Sequence, residues 1–584
     1  MRRVAGNDIV LGKVVNRETD FLLPRQARRT HLYACGATGT GKSKFLEHLI
    51  RQDIKSWRQS KCGLLVIDYH GSLYDSLMRW LAWHPILHDR PVIPIDLRRD
   101  DWVVAYNLLR QRKEADPQVI IDEFVQAMAY VWGESGTDKT PLFARWASNV
   151  IGTLYEKNLT LIEAAHLINR MDKRMRQAFA GNLSDKAAGE DWEFANTLTP
   201  LQFDAQIGST INRFRPFLGT QILRLMFGQA HVSLDLDAAL QEGHIILVSL
   251  ARGKSRVSKD NASLFATLLL SDLWAAASER GKPADGSDPK PFYVYIDEFQ
   301  NFVTPTIAES LDQARGFGLH LTLAHQFPEQ LIDSGPHGQQ IWNSVMENAR
   351  SKVVFSLNSE KNLLPLAQEL FRNAIDPDKI KHELYSTKVM AYREELRTSY
   401  SKGHTSGSGE AHQSGGASGH GSGGTTQDPQ RFFQRPQRSH STSRFESASQ
   451  SDSRSWSEAE SESMTESSIL IPEFGQELSS VQFESIEEQV WRAMAVLHDQ
   501  QERHSVARVV GSRLPVSLHT PDVPSMPSTA EFVESYIHKL YARWPFALRA
   551  EDAAKRLTER EEKYTEAAVL SIVDEPTTSK RRLK

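Results

Sequence analysis

A chain of 584 residues is too long for one compact core, so two or three structural units are expected. With 40% hydrophobic residues, 24% charged residues and a formal net charge of −4, a polyanion-binding surface would have to gather its positive charge locally. Two cysteines beside apolar runs (Cys35 and Cys62), no uncharged apolar run of ~20 residues and no signal-peptide core argue against disulfide-stapled, membrane-spanning and secreted classes, leaving a cytoplasmic protein or one held at the inner membrane by a partner.

The first 30 residues leave room for a short N-terminal β segment. Short β-branched runs then recur, bounded by Gly, Asp or Pro: HLYAC (His31 to Cys35), GLLVID (Gly63 to Asp68) and PVIPID (Pro91 to Asp96). Further on come HIILVSL (His244 to Leu250), FYVYID (Phe292 to Asp297), LHLTLA (Leu319 to Ala324) and SKVVFSL (Ser351 to Leu357). They read as continuously apolar, as strands covered on both faces do, and helical patterns separate them. The predicted class is α/β, a mostly parallel sheet with its first part at 31–104 and its second at 201–396. Between these, residues 105–200 carry Ile, Leu, Phe, Trp and Met at helical spacing and predict an inserted all-helical domain.

From about Arg397 to Ser468 Ser and Gly dominate, mixed first with His and Gln and later with Glu and Arg. Such composition predicts a disordered low-complexity insertion, bounded at 397–470. Folded sequence resumes over 471–520, with a helical stripe (Phe483 to Gln500) and a strand (His504 to Gly511), so the insertion reads as a projecting loop. A Pro-rich stretch and a charged helix make 521–584 a C-terminal tail.

Gly36, Ala37, Thr38, Gly39, Thr40, Gly41, Lys42 and Ser43 spell GATGTGKS, the full GxxxxGK[ST] pattern, after a strand and before a helical run. Glycines let consecutive backbone N–H groups turn around a phosphate, and the helix N-terminus adds its positive dipole end. Lys42 would reach β/γ oxygens of ATP, and the Ser43 hydroxyl would ligate Mg²⁺. YVYIDEF supplies the acidic partner: Asp297 for Mg²⁺ through water, Glu298 to orient and activate the attacking water. Taken alone, either carboxylate could equally cap the next helix.

Gln326, at the end of LHLTLAHQ, stands where a γ-phosphate sensor belongs if its strand neighbours that of Asp297. Arg315, in AESLDQARGFG, is a candidate arginine finger, a solvated helix arginine being the plainer alternative. Asp68 and His70 end the second strand, and a turn cap explains them as well as function does. Arg170, Lys173, Arg174 and Arg176 offer local positive charge for DNA, or simply an exposed helix face.

The motifs in this order resemble the HerA–FtsK superfamily, and more closely the TraG/TraD kind of coupling-protein ATPase of conjugation and type IV secretion. The pieces carrying the likeness are RRTHLYACGATGTGKSKFL, VIDYHGSLYDSL, AYVWGES, INRFRPFLG, GHIILVSLARGK, YVYIDEFQNFVTPTIAESLDQARGFGLHLTLAHQ and ENARSKVVFSL, spread over about residues 28 to 395, with a weaker fit at 478 to 520. The resemblance implies a RecA-like P-loop core with an all-helical domain, assembled as a hexamer around a channel through which DNA is pumped by ATP hydrolysis. It gives Lys42 and Ser43 the phosphate and Mg²⁺ roles, Asp297 and Glu298 the acidic-strand roles and Gln326 the sensor role. Arg315 becomes the finger acting on the neighbouring subunit's ATP, and a relaxase or secretion-channel protein becomes the expected partner. The membrane helices with which such coupling proteins usually begin have no counterpart here, nor does the N-terminal barrel of HerA proteins. A ring ATPase serving as a regulatory or defence scaffold for an effector is the other function these motifs admit.

Overall fold

The computed structural model describes residues 8–111, 116–131, 141–253, 257–280, 288–304, 308, 311–406 and 458–573. The WGES part of AYVWGES, much of TPTIAES, the centre of the Ser/Gly-rich segment (407–457) and the basic KRRLK end lie outside the described residues. Two compact units are present, Met1–Pro377 with Ser485–Lys584, and Asp378–Glu484.

The strands of the chain are β1 (Ile9–Val14), β2 (Asp20–Leu23), β3 (Leu32–Cys35), β4 (Gly63–Asp68), β5 (Val92–Asp96), β6 (Trp102–Val104), β7 (Ile245–Ser249), β8 (Phe292–Asp297), β9 (Leu319–His325), β10 (Ser351–Phe355), β11 (Ile380–Ser406), β12 (Glu458–Phe483), β13 (His504–Arg508), β14 (Val516–His519) and β15 (Ala547–Arg549). In the first unit eleven of them form one sheet in the order β2-β1-β14-β13-β10-β3-β9-β8-β4-β7-β5. From β10 to β5 every pairing is parallel, and from β2 to β10 every pairing is antiparallel. All the runs expected as buried strands are strands. β3, β4, β7, β8, β9 and β10 are buried along their whole length because helices cover both faces. This is the predicted α/β fold with a RecA-like parallel core. Its parallel strands end together at one edge, where Cys35, Asp68, Ser249, Asp297, His325 and Phe355 lie.

The helical insertion extends beyond the expected boundary at residue 200. Thr199 and Gln202 form a capping box that starts the helix Pro200–Leu218, and that helix buries Phe203, Ile207 and Phe214. Phe214 meets Phe124 of the helix Pro117–Val131 at 6.1 Å between ring centroids, so residues 200–218 complete the helical domain. A proline at 200 marks the first turn of that helix, a position it tolerates, and not a domain break.

The C-terminal stretch is not a tail. Tyr541, in the helix Ala530–Tyr541, stacks on Trp102 at 5.4 Å with the rings 9° from parallel. Nearby β15 pairs antiparallel with β6, and just ahead of this stretch β14 joins the large sheet. Proline sits at the rims of that short strand, where no ladder N–H is lost.

The second unit contains a two-stranded antiparallel ribbon, β11 with β12, in register from Ile380↔Phe483 to Ser406↔Glu458. The expectation of disorder from Arg397 to residue 470 is therefore corrected at both flanks, since β11 continues to Ser406 and β12 begins at Glu458. Backbone pairing does not depend on composition, and the alternation of Tyr392, Leu396 and Tyr400 is diluted by the Ser and Gly around it.

Candidate nucleotide-binding site

The chain leaves β3 at Cys35 and turns at once. A Cβ on Gly36 would stand 2.5 Å from the Cβ of Phe355, so only glycine lets the loop start beside β10. Gly39 and Gly41 have φ of +84° and +105°, left-handed values that fold the loop back toward the helix Lys42–Ser60. The first N–H groups of that helix have no intrahelical acceptor and face the turn. Within the loop Thr40 Oγ1 donates to Ala37 O (2.7 Å), and Ala37 N donates to Ser356 O (3.1 Å). The helix is held from below by a buried network. Arg28 donates to both Asp53 oxygens (2.8 and 2.6 Å), Tyr295 of β8 donates to the same carboxylate (2.6 Å), and the guanidinium lies over Tyr293.

Lys42 is buried at 6% exposure and points to the end of β8. Its Nζ lies 2.7 Å from Glu298 Oε1 and 3.1 Å from Asp297 Oδ1. Burial works against the ammonium, yet the two carboxylates raise its pKa above the ordinary lysine value. Asp297 shifts the other way for a carboxylate in an ion pair. Burial, with Glu298 beside it, raises its pKa despite Lys42. Asp297 Oδ1 is buried and within ion-pair reach of Lys42 but has no hydrogen bond. Glu298 adopts a left-handed conformation (φ 53°), rare for a non-glycine residue, and Asn301 Nδ2 donates to its carbonyl (3.0 Å). Its other carboxylate oxygen, Oε2, accepts from Gln300 Nε2 (2.8 Å).

β8 and β9 are neighbours, with Asp297 opposite Ala324, so Gln326 lies at the same edge as the acidic pair. Gln326 Oε1 accepts from Thr38 Oγ1 at 3.2 Å, a direct link between that strand end and the phosphate-type loop. Lys42, Ser43, Asp297, Glu298 and Gln326 are thus brought to one edge. Arg315 is not: it is exposed, follows the short helix Leu311–Ala314 and precedes the N-terminal end of β9. Asp68 is a cap. Its two oxygens accept from the backbone N–H groups of His70 (3.0 Å) and Tyr74 (2.8 Å), and His70 is exposed. Arg176 is corrected as a candidate DNA contact, because it is fully buried and bonded to Leu167 O, Asn169 O and Asn196 Oδ1. Arg170 pairs with Asp204 (2.7 Å), and Lys173 donates to Asn196 O (2.8 Å).

Two participants were given no role by the sequence reading. Gln300 was concealed within DEFQNF, where only its spacing from Glu298 hints at the bond. Arg503, from the turn before β13, donates its backbone N–H to Thr40 O (2.8 Å), and its Cα would lie 2.9 Å from a Cβ on Gly41. The loop is therefore walled by a segment more than 450 residues further along the chain.

Residues 291–414 match a family model described as the TraM recognition site of TraD and TraG. None of the curated proteins matches the chain by sequence. Among solved structures, the unbound bacterial conjugative coupling protein TrwBdeltaN70 is 13% identical, with 89% of this chain and 91% of that chain covered and a TM-score of 0.45. The plasmid coupling protein TrwB in complex with the non-hydrolysable ATP analogue ADPNP is 14% identical, covering 89% and 91% at a TM-score of 0.44. VirB4 of Thermoanaerobacter pseudethanolicus is 15% identical, covering 62% and 88% at 0.42. The chain is a P-loop protein whose residues 291–414, from the acidic strand into the ribbon, are similar to the coupling proteins TraD and TraG.

Proposed function

We propose that this chain hydrolyses ATP in a hexameric ring of the coupling-protein kind and uses that turnover to move DNA for transfer of a mobile element. The observation that carries the proposal is the triangle of Lys42, Asp297 and Glu298 at the mouth of a glycine loop. A buried lysine between two carboxylates is a resting arrangement, because ATP brings phosphate oxygens that compete for the ammonium. Lys42 would then hold β/γ oxygens, and Glu298, released from Lys42 but still held by Gln300, would orient a water and take its proton. Mg²⁺ would supply charge neutralisation of the phosphates. Ser43 and Asp297 fit it, the latter through the buried Oδ1 that has no hydrogen bond in the resting site. Gln326 would register the γ-phosphate through its bond to Thr38.

The ring reading rests on the place of Arg315. β9 is seven residues long, so roughly 20 Å of strand separates Arg315 at one end from Gln326 at the other. An arginine finger there serves the site of another copy. TrwB is described as a conjugative coupling protein, and the matched segment at 291–414 as the TraM recognition site of TraD and TraG. The family description supports a partner protein taken through this segment, as TraM is by TraD and TraG, and the motif resemblance supports DNA as cargo and a relaxase or secretion-channel protein as partner. ATP turnover measured with and without DNA, over a salt series, tests the function: stimulation that falls steeply with salt is expected. Turnover indifferent to DNA would instead favour a ring that acts as a scaffold for an effector.

A further inference from the structure

The ribbon of the second unit has two unlike faces. Side chains alternate along a strand, and directly paired residues share a face. From Leu478 to Met464 β12 runs without a break, and the one extra residue in this part of β11 lies between Val389 and Ala391. The register therefore places Tyr385, Phe474, Tyr392, Leu470, Leu396 and Tyr400 on one face. These side chains are between 54% and 78% exposed. The opposite face carries Lys388, Arg393, Glu395, Arg397, Glu473 and Glu477, with Ile469, Ile471, Ala391 and the bulge residue Met390 beside Gly475 as its apolar residues, and Lys388 pairs with Glu477 at 2.8 Å. Large apolar side chains thus dominate one face, where Glu394 and Glu466 are the charged exceptions, and charged side chains dominate the other.

A two-stranded ribbon with a bare apolar face is at best marginally stable in water, so it needs a second layer. We infer that this layer is the ribbon of a second copy of the chain, the two apolar faces packing against each other. The area is sufficient. The stripe spans about fifteen residue pairs, roughly 50 Å of strand. The six named side chains together with Leu478 and Met464 of the same face, on the order of 100 Å² each, give roughly 800 Å² per ribbon, about the amount a stable interface takes from each partner. Two other occupants fit less well. Glu394 and Glu466 lie on the apolar face, opposite Leu470 and Thr398, where they would repel a nucleic-acid backbone and be costly within lipid hydrocarbon. The inference concerns the ribbon alone and stands apart from ATP hydrolysis and from Arg315.

Cross-linking of the full chain tests it, since both native cysteines are buried. Tyr392→Cys sits at the middle of the apolar face and Arg393→Cys directly beside it on the polar one. With a short bismaleimide, covalent dimers are expected from Tyr392→Cys, at least five-fold more than from Arg393→Cys. Phe474→Lys with Leu396→Lys, added to Tyr392→Cys, should abolish that cross-link while nucleotide binding persists. Equal cross-linking at both positions, none at either, or a cross-link at position 392 that survives the two lysine substitutions would overturn the inference. So would flotation of the wild-type chain with phosphatidylcholine–phosphatidylglycerol vesicles without any cross-link, which would assign the face to lipid.

Discussion

Lys42 Nζ lies 2.7 Å from Glu298 Oε1, so the residue expected to hold phosphate and the residue expected to activate water neutralise each other in the resting site. Nucleotide binding has to part them. Glu298→Gln removes the charge that competes for Lys42 while keeping the bond geometry. Nucleotide affinity should hold or rise, and turnover should fall by roughly 10²–10³-fold, the size of a positioned general base. Titration with a fluorescent ATP analogue and a phosphate-release assay separate the two effects.

Asp297 gives a stability prediction with a definite sign. Burial and Glu298 raise its folded pKa above the unfolded value, so the folded state holds the proton more tightly. That contribution to stability is present below the unfolded pKa, near 4, and is lost as pH rises through the raised folded value. At neutral pH without nucleotide, Asp297 is therefore a burden. Asp297→Asn should raise Tm at pH 7 and leave it nearly unchanged at pH 4, as differential scanning fluorimetry would show. It should also lose Mg²⁺-dependent turnover.

Gly41 tests the tie between the loop and the returning chain. Its φ of +105° is strained for any other residue, and an added Cβ would meet Arg503 Cα at 2.9 Å. Gly41→Ala should cost about 1–3 kcal/mol, read by urea titration, and weaken nucleotide binding at least ten-fold. Gly39→Ala is the control, with left-handed strain but no atom within 4 Å of the added Cβ.

The C-terminal stretch should behave as core. Trp102→Ala removes the stack on Tyr541 and should destabilise the first unit by roughly 3–5 kcal/mol. Truncation before Ala530 should lower Tm more than any single substitution, because it uncovers Trp102 altogether.

How much of this was legible in the sequence depends on the length scale of each signal. The buried strands and the loop at Gly36–Ser43 announce themselves locally, through β-branched runs and a fixed spacing of Gly, Lys and Ser. That the loop and the acidic strand end meet at one edge followed from the parallel order such strands adopt, whereas the ion pairs of Lys42 with Asp297 and Glu298 appear only in the structure. Arg503 was not legible, because its part is played by a backbone N–H, which leaves no mark on residue type. The ribbon was missed for a different reason: Ser and Gly lower the average over a window, while the alternation of Tyr392, Leu396 and Tyr400 survives only in register with β12. The helical boundary at 200 fell short because what ties residues 200–218 to the insertion is a tertiary contact, Phe214 on Phe124, between positions far apart in the chain.

Complementation between two inactive variants tests the shared site most directly. Glu298→Gln lacks the base but keeps Arg315, and Arg315→Ala lacks the finger but keeps the loop and acidic pair. If each site takes its base from one copy and its finger from another, each variant alone should be nearly inactive. An equal mixture should then recover about a quarter of wild-type turnover, the share of interfaces that pair two intact halves. Full activity of Arg315→Ala alone, or no recovery on mixing, would contradict the shared site.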